Sequence, residues 1–149
     1  MNCGTIRQIN RSQTIGTGTV RGLHFQVSPN YENKIVTCIK GKICDVVVDL
    51  RTGSSTFLQH YMITLTEDNF RSLFIPAGFA HGFQTLSEEC ELIYFHTADY
   101  LPDAEGGLNA TDPMLGIRWP LEITNRSKRD LDHPFLSHNY QGVKLDELS

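Results

Sequence analysis

From Lys34 to Thr97 the chain is one short, β-branched segment after another, each cut off by a turn signal. "KIVTCIK" half alternates, Gly41-Lys42 breaks it, and "ICDVVVDL" follows, so the pair predicts a hairpin. "RTGSST" is a loop by its Gly and Ser. "FLQHYMITLT" alternates again, "EDN" turns, and "RSLFI" is a short strand stopped by Pro76 and Gly78. "HGFQTL" and "CELIYFHT" come next, parted by "SEE". Short strands at regular intervals, with few helix signals, restrict the fold to a β-sandwich or barrel.

The last third has another texture. "DYLPDAEGGLNATDPMLGIRWP" is rich in Gly and Pro and reads as long loops. "TNRSKRDL" predicts one helical turn, and the tail 135–149 is expected to be mobile or packed on a partner. No internal repeat or second domain is visible, so 1–149 is expected to be one domain. A chain of 149 residues is long enough for a genuine core.

A net charge of −4 gives no reason to expect a nucleic-acid or anionic-membrane surface. An anionic ligand would need a local cluster of Arg, Lys and His. No 18-residue apolar run predicts a membrane span, and "MNCGTIRQIN" lacks the apolar stretch of a signal peptide. The expected compartment is therefore a reducing cytoplasm. In that setting the N-x-[ST] triplets at Asn10, Asn109 and Asn125 are chance matches. Cys3, Cys38, Cys44 and Cys90 form no CxxC pair, and Cys38 and Cys44 sit in apolar runs. Buried thiols are expected, not a disulfide framework.

Two fragments carry chemistry. His24-x-Gln26, with Lys34 and Gly41 downstream, stands where metal-binding cupins carry His-x-His, Glu and Gly. "PAGFAH" supplies the Pro, Gly and His of the second cupin motif, ending in His81. The chain thus resembles a cupin with its metal chemistry removed. Gln is a weak neutral ligand, and Lys34 puts a cation where a ligand carboxylate would be. A His–Lys–His cluster suits another task. A neutral His removes a proton beside a carbonyl while cations hold the enolate oxygen. Tyr94 shares a strand face with Leu92 and His96 and could return a proton from the other side.

The segments "GTVRGLHFQ", "KIVTCIKGKICDVVVDLRTGSSTF", "RSLFIPAGFAHGFQTLSEECELIY", "TADY" and "DPMLGIRWP" together resemble the dTDP-4-dehydrorhamnose 3,5-epimerase family. These are metal-free sugar epimerases of the cupin superfamily. The resemblance implies a double-stranded β-helix, the cupin jelly-roll barrel, with a loop-rich C-terminal segment. It implies inversion at C3, C5 or both of a nucleotide-linked 4-keto-6-deoxyhexose. It makes His24 the base, Asp130 its orienting carboxylate, Lys34 the holder of the keto oxygen and Tyr94 the acid. It places Arg21, Gln26, His81 and Tyr100 against the substrate, with Asp99 beside Tyr100 near the nucleotide. It implies no metal, no organic cofactor and a homodimer.

Departures from the family pattern concern the nucleotide and the sugar. The family carries a further N-terminal segment ahead of "NRSQT", so this chain reads as a short form. Phe95 follows the Tyr where Lys is usual, and Asn109–Thr111 replace a Trp before "DP".

Two other classes compete: a sugar-nucleotide-binding cupin without turnover, and a metal-dependent cupin oxygenase or isomerase. The first would have no need of Asp130 behind His24. Asp130 could equally be a solvated charge or a partner of Lys128. His60, His133 and His138 have no companions in the sequence and are expected at the surface. "GTGTVRG" leads into a strand, so it is not a dinucleotide fingerprint.

Overall fold

The computed structural model describes residues 4–145. Cys3 and the last four residues of the predicted tail therefore lie outside the described residues.

The organising strand is β4, Lys42–Asp49, in which every residue after Lys42 is buried. A strand covered on both faces reads as a near-continuous apolar run, which "ICDVVV" does. It lies between β5, His60–Thr66, and β7, Phe79–Thr85, both antiparallel to it. Beyond β7 come β2, Val20–Gln26, and β9, Glu105–Gly107, which complete a sheet of order β5-β4-β7-β2-β9. The second sheet has order β1-β8-β3-β6. It comprises β1, Gln8–Ile15; β8, Glu89–His96; β3, Lys34–Lys40; and β6, Ser72–Ile75. All pairings between these strands are antiparallel.

The alternation of β4 divides the core in two. Ile43 and Val47 join Val36, Leu65, Ile75, Phe83 and Leu92 between the sheets. Cys44, Val46 and Val48 face the other way, onto Leu23, Leu108, Leu115 and Val143. Ile43 is fully buried. Ile43→Ala should cost about 2–5 kcal/mol in chemical denaturation; a loss below about 1 kcal/mol would mean that the two sheets do not pack there.

The hairpin expected at Gly41-Lys42 is absent. β3 and β4 belong to different sheets, and Gly41 turns the chain from one to the other. Its φ is +75°, and a Cβ there would run into the Glu89 carbonyl. A Gly-containing break looks alike in sequence whether the next strand returns alongside or crosses to the facing sheet.

Other boundaries also differ from expectation. The expected strand "FLQHYMITLT" begins only at His60, after turns through Phe57 and Leu58. β1 and the three-residue β9 were not foreseen, the latter hidden in the Gly- and Pro-rich stretch. The helical turn is α1, Lys128–Leu131, capped by Ser127 Oγ, which accepts from Asp130 N. Within the described tail, Leu136, Tyr140 and Val143 pack on the chain's own five-stranded sheet. Along that stretch the tail is anchored on its own chain. Cys38, Cys44 and Cys90 are free, buried thiols, and burial pushes Cys38 and Cys44 up to about 11.

Candidate active site

Residues of both sheets line a cavity of about 510 Å³. The five-stranded sheet contributes His24 from β2 and His81 from β7, directly paired in register, so both rings leave the same face. The other sheet contributes Lys34 from β3 and Tyr94 and His96 from β8. Arg21, Gln26 and Tyr100 also line the cavity. Arg21 and Tyr100 are exposed, whereas Gln26 is buried and its Oε1 has no hydrogen-bond partner.

Local backbone makes room for His24. The register of β2 against β7 shifts between Arg21 and His24. At that irregularity Gly22 has φ +107°, and a Cβ would lie 2.6 Å from the His81 carbonyl oxygen. Only Gly allows so close an approach at this φ.

Asp130 stands behind His24. Its Oδ1 lies 2.6 Å from His24 Nε2, and its Oδ2 accepts from the Gly22 N–H at 3.1 Å. Burial alone would raise this carboxyl, but the hydrogen bonds from His24 and Gly22 outweigh it and hold Asp130 below the usual range. An ionised carboxylate only accepts, so His24 carries its proton on Nε2 and its lone pair on Nδ1. Nδ1 is the nitrogen nearest Glu105, 3.9 Å from Oε1. Glu105 is itself held by Arg129 at 2.7 Å and by the Tyr100 hydroxyl at 2.7 Å.

Two more imidazole–carboxylate pairs face the cavity. His81 Nε2 is 2.5 Å from Asp45 Oδ1, both buried. Burial lowers the basicity of His81; Asp45 opposes that, and the positive charge of Lys34 reinforces it. His96 Nδ1 donates to Glu32 Oε2 at 2.9 Å, and Glu32 Oε1 lies 3.6 Å from Lys34 Nζ. Tyr94 sits between these pairs, its ring 6.1 Å from that of His81 and 6.0 Å from that of His96. Burial, then the charge of Asp45, pushes the Tyr94 phenol well above its ordinary value. It keeps its proton at neutral pH.

The cavity thus collects seven of the nine residues singled out in the sequence, and an eighth, Asp130, backs one of them. The solvated-charge reading of Asp130 fails, because it is buried and Lys128 pairs with Asp132 instead. Asp99 lies apart, paired with Arg7 at 3.2 Å. His60 and His138 are exposed as expected. His133 is not a lone surface residue, because it packs edge-on against the His24 ring.

Asp45, Glu32, His96 and Glu105 were not foreseen. Asp45 could have been flagged, as a charge inside the apolar run "ICDVVV" needs a buried partner. Glu105 gave no signal, since its role depends on β9 lying beside β2.

The family description "dTDP-4-dehydrorhamnose 3,5-epimerase" matches residues 2–138. The chain belongs to the dTDP-4-dehydrorhamnose 3,5-epimerase family. A member from Sinorhizobium fredii is 41% identical over 142 residues, which is 93% of this chain and 73% of that one. The solved Bacillus anthracis epimerase, with TDP and pyrophosphate bound, superposes with a TM-score of 0.87 at 39% identity. That match covers 89% of this chain and 76% of that one. A Legionella pneumophila epimerase in complex with dTDP-4-keto-L-rhamnose gives a TM-score of 0.84 at 38% identity, over 89% and 70% of the two chains. The two-sheet barrel is therefore the cupin jelly roll of these epimerases. No helix among the described residues is long and apolar enough to cross a membrane.

Proposed function

We propose that the chain epimerises a dTDP-linked 4-keto-6-deoxyhexose at carbons flanking the ketone, with His24 as base and Tyr94 as acid. The observation that carries this is the His24–Asp130 pair at 2.6 Å, opening onto a cavity whose facing wall holds Lys34 and Tyr94. The relatives' bound TDP and dTDP-keto-sugar support the substrate class.

The chemistry follows from the two walls. The ketone makes the neighbouring C–H acidic. His24 Nδ1 takes that proton, and the bond's electrons pass into an enolate. Asp130 steadies the imidazolium that forms. The enolate oxygen sits against Lys34, a buried cation whose charge is poorly screened there. His81 adds a donor only when its ring is protonated, and its burial opposes that, so Lys34 carries most of the charge. Tyr94 belongs to the opposite sheet and hands its proton to the other face of the carbon, inverting it. The phenolate then regains a proton from solvent, and His24 releases the one it took.

A binder without turnover would have no use for Asp130 behind His24, and the observed pair speaks against that reading. A metal-dependent cupin would need a ligand where Lys34 places a cation. The reading also includes a dimer formed at the edge strand β1, which exposes Ile9, at the cavity, and Ile15.

The test is incubation of wild type and Tyr94→Phe with dTDP-4-keto-6-deoxy-D-glucose, followed by NMR. Wild type should yield an epimerised sugar. Tyr94→Phe should still exchange C–H for solvent deuterium while inversion falls about 10²-fold or more. Unchanged inversion would reduce Tyr94 to a packing residue, and unaltered sugar with wild type would refute the function.

A further inference from the structure

Behind the His24–Asp130 pair, outside the cavity lining, a third donor approaches. His133 lies just past α1, and its Nε2 is 3.9 Å from Asp130 Oδ1. That nitrogen is buried and has no hydrogen-bond partner. The ring meets the His24 ring edge-on, with centroids 6.3 Å apart. It fills the space that a side chain at position 107 would need, and Gly107 leaves that space open. Asn109 Nδ2 donates to the His133 carbonyl at 2.8 Å and fixes the backbone. One donor atom from each of His24, Asp130 and His133 lies within 4.8 Å of the other two.

We propose that His24, Asp130 and His133 form an inhibitory site for a zinc-type divalent cation. Two imidazole nitrogens and one carboxylate oxygen, with a fourth position left for water, are a donor set that zinc accepts. Tetrahedral arms of about 2.0–2.1 Å place donors about 3.3 Å apart. The His24–Asp130 separation of 2.6 Å is shorter than this, and the Asp130–His133 separation of 3.9 Å is longer. An ion replacing the proton of the short contact would open it and draw the unpartnered His133 nitrogen inward.

The surroundings suit a metal. Gly22 N–H occupies Asp130 Oδ2 and leaves Oδ1 to the ion. Glu105 stands 3.9 Å from His24 Nδ1, ready to accept the proton that a metallated imidazole carries on its other nitrogen. The nearby cation Arg129 is neutralised by Glu105 at 2.7 Å. Binding also has a chemical consequence. Zinc on Nε2 moves the ring's single proton to Nδ1, so Nδ1 no longer offers the lone pair that removes the substrate's C–H proton. No net proton is gained or lost by the ring. The inhibitory consequence rests on the base role proposed for His24; the binding site itself does not.

The test uses the metal-stripped full chain. Co²⁺ is titrated first, without substrate, and read by its visible d–d absorption. Zn²⁺ is then titrated into the deuterium-exchange assay. Wild type should develop cobalt bands that Zn²⁺ displaces, and Zn²⁺ should suppress exchange. His133→Asn should weaken both metals by at least about tenfold, judged against its own metal-free rate. His133→Gln, closer in bulk, serves if the Asn variant does not fold. Absent cobalt bands in wild type, or equal Co²⁺ affinity in the variant, would overturn the site. Cobalt bands that depend on His133, together with exchange untouched by saturating Zn²⁺, would overturn the inhibition and count against His24 as base.

Discussion

His24→Asn should lower epimerisation by about 10³-fold and leave the thermal midpoint near that of wild type. The large effect on rate follows from geometry. His24 offers the cavity, across from Lys34 and Tyr94, an imidazole lone pair backed by an ionised carboxylate that would steady the charge formed on proton transfer. His81 cannot replace it at once, because its own carboxylate partner is on the far side of a fully buried contact and burial depresses its basicity. The small effect on stability follows from exposure. The His24 side chain is 32% exposed, and Asp130 keeps the Gly22 N–H as a donor. Turnover and a melting curve on one preparation check both halves. A variant within tenfold of wild type would move the base elsewhere.

Asp130→Asn should also be severely damaging, with turnover down by about 10²–10⁴-fold. The substituted amide can donate to His24 Nε2, which turns that nitrogen into the acceptor and moves the ring proton to Nδ1. The lone pair would then face the new amide and not the cavity. A pH signature should accompany the loss. The folded-state pKa of Asp130 lies below its unfolded value, so the ionised carboxylate contributes stability above the unfolded pKa. That contribution disappears as pH falls below about 4 and through the lowered folded value. The wild-type melting temperature should therefore drop more steeply in this acid range than that of the Asn variant. Parallel curves would mean that the pair contributes nothing to folding.

The sequence made the strands legible where burial writes a simple pattern. β4 and β7 are buried along nearly all of their length, β8 has no exposed residue, and their apolar residues stand out in the sequence. β1 is an edge strand with mostly polar, exposed residues, and its pattern is no different from that of a loop. The corner at Gly41 looks like a hairpin because whether a strand pairs with its neighbour or crosses over is decided by distant contacts, here β4 with β5 and β7. The same division runs through the site. His24, Lys34, His81 and Tyr94 lie within recognisable motifs. Asp130 and His133 lie more than a hundred positions from His24, and only the docking of α1 on β2 brings them to it. Glu32, Asp45 and Glu105 are partners of motif residues. A partner's identity depends on which strands become neighbours, and one sequence does not state that.

Solvent exchange at carbon is the most direct test of the central claim, that this cavity removes a C–H proton beside a ketone. Wild-type protein and dTDP-4-keto-6-deoxy-D-glucose in deuterium oxide should give sugar labelled at C3, C5 or both, with the label lost when Asn replaces His24. Inverted sugar that keeps its original hydrogen at those carbons would contradict the account.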